Sequence, residues 1–361
     1  MVEQARIDES VMATHGEYSR HSRPQHAAAA VAYPYLRSAA ARVPLPDAPA
    51  PLQILDMGCA GGQNEMEPIA LAIDGVRARD ARTPVCVLHT DLPENDFGSL
   101  FALLDSASSY TAGRDSVFPS AVGRTLYGPL VPDRSTHLGW SGITLHWLST
   151  VPCPVPDAVF SNLTTGAVRD ALQRQAADDW STFLRERARE LVDGGELVIV
   201  AGASDDAGRA GAEGLFGLIG DELHAMVERG SLQRAEAERI FYPTWNRTLA
   251  EWLAPFSSGP ASDDFEVLEH REDASDDSAT FPQYARDHDA AAFARAYIGF
   301  VRAVTENPFF RSLDPARTEA QRDAVITEFY DGLQQRIEAA PDVATCIWRV
   351  VSLHLRRRPR R

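Results

Sequence analysis

Apolar and polar positions along the chain fall into two regimes. Up to about residue 205, short apolar runs alternate with amphipathic stretches. "PLQILDMGCAGGQNEMEPIALAI" reads as a buried strand, a Gly-rich turn and a helix with apolar residues at helical spacing. "TPVCVLHTDLP" reads as a second strand ending in an acidic residue, and "PDAVFSNL" as a third. "WSTFLRERARELVDGGELVIVAGA" predicts a helix, a Gly-Gly stop and a β-branched strand. Strands alternating with helices predict an α/β fold on a parallel, doubly wound sheet. Beyond residue 205 the pattern turns helical, in "EGLFGLIGDELHAMVERG" and around 289–306 and 318–338. "DFEVLEHRE" and "TCIWRVVSLHL" read as sheet-edge strands flanking the later helices, and "SSGPASDD" and "EDASDDSATFP" as polar loops. The expected organisation is a core over 46–205, completed by strands near 263–272 and 344–355, with an α-helical cap over 206–260 and 280–340.

Composition narrows the chemistry. The chain has 361 residues, 44% hydrophobic and 24% charged, and a formal net charge of -16. That charge argues against a nucleic-acid surface, which needs a basic patch. The terminal "LRRRPRR" reads as a solvated tail. No lysine occurs, which removes Schiff-base chemistry, a P-loop lysine and lysine general bases. The four cysteines are scattered without a CxxC pair, which argues against a zinc site or a disulfide framework and suits a reducing, cytoplasmic setting. The charged N-terminus does not read as a signal peptide, and no stretch reaches the roughly 18 apolar residues that span a bilayer. Abundant Arg and Ala without Lys suggest a GC-rich bacterial genome.

The turn "DMGCAGG" puts glycines where backbone must approach a ligand closely, but lacks the GxGxxG dinucleotide spacing. It admits two readings: a cofactor turn, or a tight structural turn. Asp91 closes the second strand at the end where open α/β sheets bind ligands. Its carboxylate could accept ribose hydroxyls or cap the helix that begins near "ENDFGSLFALL". Trp147, in "SGITLHWLS", reads alone as a donor or as a core aromatic.

Taken together, these segments resemble the SABATH family of carboxyl methyltransferases. "DMGCAGGQNE", "DLPENDF", "GRTLYGPLVP", "SGITLHWLSTVP", "FLRERARELVDGG", "FVRAVTENPFF" and the N-terminal "YSRHSRPQ" are similar to that family's blocks, in its order, over nearly the whole chain. The resemblance implies a Rossmann-like class I methyltransferase core with a helical cap, and an N-terminal segment over 1–45 that closes the active site. It implies S-adenosylmethionine as cofactor, held by Tyr18, Ser22, Asp56, Gly58, Cys59, Asn64, Asp91, Leu92, Thr125 and Leu126. Leu126 stands where the family carries an aromatic beside the adenine.

The resemblance assigns acceptor-carboxylate binding to Gln25 and Trp147, with His146 and Ile143 as pocket wall. Tyr242 and Trp245 are wall candidates, with core packing the equal alternative. The implied reaction is esterification of a small, largely apolar or aromatic acid by in-line transfer, with no acid–base residue and no metal. Neither a nucleic acid nor a membrane is an expected partner, and the family pattern implies a homodimer. The competing readings are an N-methyltransferase on a heteroaromatic ring and a non-catalytic cofactor-binding protein. Retention of both Gln25 and Trp147 weighs against each.

Overall fold

The computed structural model describes residues 23–276, 281–311 and 313–360. One seven-stranded sheet contains β1 (Leu52–Met57), β2 (Val85–Asp91), β3 (Val117–Gly123), β4 (Thr136–Gly142), β5 (Leu191–Gly202), β6 (Phe265–Asp276) and β7 (Ile347–Arg357). Its order is β3-β2-β1-β4-β5-β7-β6. The pairs among β1 to β5 are parallel, and β7 runs antiparallel to both β5 and β6. The order reverses between β1 and β4, which opens a ligand crevice at their C-terminal ends.

The longer helices are α1 (Arg23–Ala30), α2 (Tyr33–Ala40), α3 (Met66–Arg77), α4 (Phe97–Leu104), α5 (Gly166–Glu190), α6 (Glu213–Arg229), α7 (Leu249–Ser257), α8 (Ala290–Phe310) and α9 (Glu319–Ala339). The strand period of two divides the core. Val198 and Val200 face the layer that includes Leu36 of α2 and Ile69 and Ile73 of α3, while Leu197, Ile199 and Ala201 face Trp180 and Phe183 of α5. The cap has its own core. Phe293, Tyr297 and Val301 of α8 meet Val325, Phe329 and Leu333 of α9, each set at four-residue intervals along one helix face. Thr318 starts α9 with a capping box to Gln321.

Four expectations need correction. "PDAVFSNL" is not a strand: it makes one bridge, Phe160 to Tyr242, then a 3-10 turn at Ser161–Leu163. Val159 and Phe160 are apolar because they pack into the cap core. Strands β3 and β4 went unread. β3 carries Pro119 and an exposed Phe118, as suits an edge, and β4 is rich in Gly and Ser. β7 lies inside the sheet, between β5 and β6, and of these two late strands β6 alone is at the edge. Finally, α7 belongs to the sheet layer rather than to the cap. Trp252 is fully buried against Trp180, with ring centroids 4.9 Å apart, and the Trp180 indole donates to the Trp252 carbonyl at 3.0 Å.

Candidate active site

β1 delivers Asp56 into a turn whose backbone is left-handed at Gly58 (φ 92), Ala60 (φ 44) and Gly62 (φ 85). The amides of Gly58 and Cys59 donate to the Thr90 carbonyl at 2.8 and 3.1 Å, which fastens the turn to β2. Asp91 completes the attachment. Its Oδ2 accepts from Ala60 N at 2.7 Å and its Oδ1 from Leu92 N at 2.8 Å. Burial pushes the Asp91 carboxyl above its ordinary range, and those two N–H groups pull the other way. Asp91 does not cap α4. Asp96 does, accepting from Ser99 N at 3.0 Å. Asn95, unremarked in the sequence, donates to the Ala60 carbonyl at 2.9 Å and clamps the same turn.

Strand register sets Asp56, His89 and Trp140 side by side across β2, β1 and β4. A buried hydrogen-bonded chain follows from this row. Tyr110 meets His89 Nε2 at 2.7 Å, His89 Nδ1 meets Asp56 at 2.6 Å, and the Trp140 indole donates to Glu65 at 2.6 Å. Burial holds the His89 ring acid near 4, so the ring is neutral, with Nδ1–H donating to Asp56. Burial, and for Glu65 the neighbouring Asp56, pushes both carboxyls well up. Burial likewise raises the Cys59 thiol, aided by Asp91, Asp56 and Glu65, which leaves a neutral packing group beside the turn. Ligand atoms of Asp56, Cys59 and His89 lie within 4.8 Å of one another, but Asp56 and His89 are already engaged by a short hydrogen bond.

On the other wall, Ile143 leaves β4 with φ 55, a strained value for a β-branched residue, and its amide donates to Val200 at 2.7 Å. That bend sets Thr144 against Gly58 so closely that a Cβ there would overlap the Thr144 hydroxyl. The loop Leu145–Trp147 is therefore seated on the Gly-rich turn. Four contacts hold it: Arg247 donates to the Leu145 carbonyl at 2.7 Å, Trp245 N to the His146 carbonyl at 2.7 Å, Leu148 N to Pro243 at 2.9 Å, and the Tyr127 hydroxyl to the Trp147 carbonyl at 2.5 Å. Neither Arg247 nor Tyr127 announces this role in the sequence, because both act on backbone carbonyls supplied from elsewhere in the fold.

His146 accepts from Gly202 N through Nδ1 at 3.3 Å, which leaves Nε2–H on the cavity side. Burial, then the nearby Arg247 charge, lowers its ring acid to about 3. The cavity lies between sheet and cap, with a volume of about 60 Å³, and His146, Tyr242, Phe160 and Phe216 border it. Trp147 is 8% exposed and stands behind Tyr242, with ring centroids 4.7 Å apart. Its indole N–H has no hydrogen-bond partner among the described residues. Gln25, on α1 against β5, is buried, and its Oε1 is unpartnered.

The remaining candidates are distributed more widely. Trp245 does not border the cavity. It is buried beside Phe241, Leu148 and Leu172, with Arg169 over its ring. Ile143 packs toward the α2–α3 layer rather than the cavity. Asn64 and Leu92 are half-buried near the turn, Thr125 is exposed, and Leu126 packs toward the α5 layer with its carbonyl held by Arg187 at 2.9 Å. Tyr18 and Ser22 lie outside the described residues.

S-adenosylmethionine fits this crevice. After serving Ala60 and Leu92, the Asp91 carboxylate still has lone pairs for two ribose hydroxyls. The turn has no side chain at Gly58 and Gly62, where Thr144 and Leu100 pack in instead, and a Cβ on Gly123 opposite would stand 2.9 Å from Pro93.

A family described as SAM dependent carboxyl methyltransferase matches residues 12–346. Methyltransferase LUC1 of Fusarium sp is 30% identical over 336 residues, covering 86% of this chain and 89% of its own. Indole-3-acetate O-methyltransferase 1 of Oryza sativa subsp. japonica is 31% identical over 231 residues, covering 55% of this chain and 57% of its own. The solved structure of a loganic acid methyltransferase with SAH shares the fold, with a TM-score of 0.76 at 19% identity over 97% of this chain and 99% of that one. The chain belongs to the SAM-dependent carboxyl methyltransferase family, and it is a methyltransferase whose cofactor is S-adenosylmethionine.

Proposed function

We propose that the enzyme converts a small, largely apolar or aromatic carboxylic acid into its methyl ester by direct in-line transfer. The observation that carries this reading is the seating of the Leu145–Trp147 loop on the cofactor turn through Thr144 and Gly58, beside an apolar cavity. When bound, S-adenosylmethionine supplies an electrophilic methyl group on a sulfonium. Asp91 takes the ribose, and the bare backbone from Gly58 to Gly62 takes the amino-acid end, with Asp56 and Asn64 alongside.

A carboxylic acid with a pKa near ~4 is already an anion at neutral pH, so no general base is required. It needs orientation and the removal of water from its nucleophilic oxygen. The Trp147 indole and the Gln25 amide are neutral donors of fixed direction, which place the anion without cancelling its charge. Phe160, Phe216 and Tyr242 exclude water from the cavity side. His146, with a ring acid near 3, serves as a neutral wall and donor rather than a base. The protein works as a cytoplasmic homodimer.

The test is transfer from isotope-labelled cofactor to a panel of aliphatic and aromatic acids, with heteroaromatic N–H acceptors alongside, read by product mass. Methyl esters are expected. N-methyl products would favour ring methylation, and no labelled product from any acceptor would favour a non-catalytic protein.

A further inference from the structure

Strand order puts β3 and β4 three positions apart, with β2 and β1 between them, a gap of roughly 14 Å. The strap of residues 124–128 leaves β3 into that gap, and Leu126 and Tyr127 pack on the α5 side of the sheet. Two anchors hold the strap. Arg124 N donates to the Asp91 carbonyl at 2.8 Å. Arg187, buried on α5, donates to the Leu126 and Gly128 carbonyls at 2.9 and 2.8 Å, and Glu190 holds that guanidinium at 2.7 and 2.9 Å. With the residues on either side of it anchored, Tyr127 turns its hydroxyl onto the Trp147 carbonyl at 2.5 Å. One short strap therefore touches both Asp91 and Trp147.

The receiving loop has three consecutive carbonyls, each held by a donor. Arg247 serves Leu145 at 2.7 Å, Trp245 N serves His146 at 2.7 Å, and Tyr127 serves Trp147. The first two donors sit on one ribbon, two residues apart. The third comes from the strap, so of the three it alone links the loop to the Asp91 side of the sheet. Arg247 also interacts with the Tyr127 hydroxyl, which joins the donors to one another. The direction of the Trp147 indole follows from the backbone that carries it and from the Tyr242 ring against it. Without the Tyr127 hydroxyl that carbonyl loses its donor, and the peptide turns to find another.

We propose that Tyr127 is a positioning residue: it sets the Trp147 indole, and it passes occupancy of the cofactor site at Asp91 on to that indole. The chain of contacts is continuous, from Asp91 through Arg124 and the strap to the Tyr127 hydroxyl and Trp147. What the indole then does for an acid rests on the carboxyl-methylation reading; the link between the two residues does not.

The experiment uses the full chain with 5-fluorotryptophan at its six Trp positions, titrated with S-adenosylhomocysteine and followed by fluorine NMR. Loss of one resonance in Trp147→Phe assigns Trp147. In the wild type the cofactor product should shift that resonance. In Tyr127→Phe it should bind within about threefold of wild-type affinity by calorimetry, yet leave the Trp147 resonance nearly unmoved. Tyr127→Met, also without the hydroxyl, carries the same expectation if Tyr127→Phe does not fold. A Trp147 resonance indifferent to the cofactor product in the wild type, or a full shift in a folded Tyr127→Phe, would overturn the inference. So would a loss of affinity beyond about tenfold in that variant, which would make Tyr127 a brace of the cofactor site. No acid enters these measurements, so an acid panel that yields no ester would overturn the carboxyl-methylation reading and leave this result intact.

Discussion

Gly58 and Thr144 leave no room between them: the Gly58 backbone is left-handed at φ 92, and any Cβ there would overlap the Thr144 side chain. The Gly-rich turn and the loop carrying His146 and Trp147 are therefore packed as one surface. Gly58→Ala adds both a clash and a strained φ. It should weaken S-adenosylhomocysteine binding at least ~10-fold and lower kcat as well, with the far-UV spectrum retained. Calorimetric titration reads the first effect. Unchanged affinity would mean that the two loops are not coupled.

Asp91 is tied to the turn by Ala60 N at 2.7 Å. Asp91→Ala should raise the cofactor Kd by roughly 10- to 100-fold, since charge-assisted hydrogen bonds are each worth about 1.5–3 kcal/mol. Asp91→Asn should lie between the two. Binding at wild-type strength in Asp91→Ala would remove the ribose role and leave Asp91 as a turn brace.

Burial, then the nearby Arg247 charge, lowers the His146 ring acid to about 3, so the ring is neutral at neutral pH. With the acid acceptor also ionised, kcat should be flat from about pH 6 to 9, and His146→Ala should keep that flat profile even if its rate changes. A rise with a midpoint near ~6.5 that disappears in His146→Ala would make His146 a base and the acceptor something other than a carboxylate.

In the cap, Arg317 donates to Glu236 at 2.6 and 2.7 Å, and the amides of Asp314 and Gln233 add 2.9 and 3.0 Å bonds. The Arg317 hydrogen bonds are the main reason that the Glu236 carboxyl lies near 2. A carboxyl depressed in the folded state contributes its stability above its ordinary pKa, and loses it as pH falls toward the folded value. Glu236→Gln should thus destabilise by roughly 1–3 kcal/mol above pH ~4.5, with the gap to wild type closing toward pH 2. Urea midpoints across that window measure it, and a pH-independent gap would contradict the assignment.

The order of strands and helices was legible where one face or a whole strand is apolar, as in Leu52–Met57, Val85–Asp91 and the α8 stripe Phe293, Tyr297 and Val301. It failed where a strand's character comes from its neighbours. β4, "THLGWSG", is buried between β1 and β5 yet has few apolar residues, and Trp140 there is set by Glu65 and Tyr33. Motif blocks pointed to Asp91, His146 and Tyr242, which the fold places at the crevice and the cavity. They could not reveal Arg247, Tyr127 or Asn95, because each acts by donating to a backbone carbonyl, an interaction with no sequence spacing. Trp245 stayed open between wall and core for a related reason: an aromatic beside a pocket-lining Tyr242 looks the same in sequence whether it faces ligand or core, and the fold packs it in the core.

The central claim is that Trp147 binds the reacting carboxylate through its indole N–H. Trp147→Phe keeps an aromatic ring against Tyr242 and removes that donor. The decisive measurement is kcat/KM of this variant for the best acid of the panel, with folding checked by thermal denaturation. The account predicts a loss of roughly 10- to 1000-fold, one hydrogen bond to an anion plus the alignment it enforces, at nearly unchanged stability. Wild-type turnover by a folded Trp147→Phe would contradict it and leave Trp147 as packing behind the cavity wall.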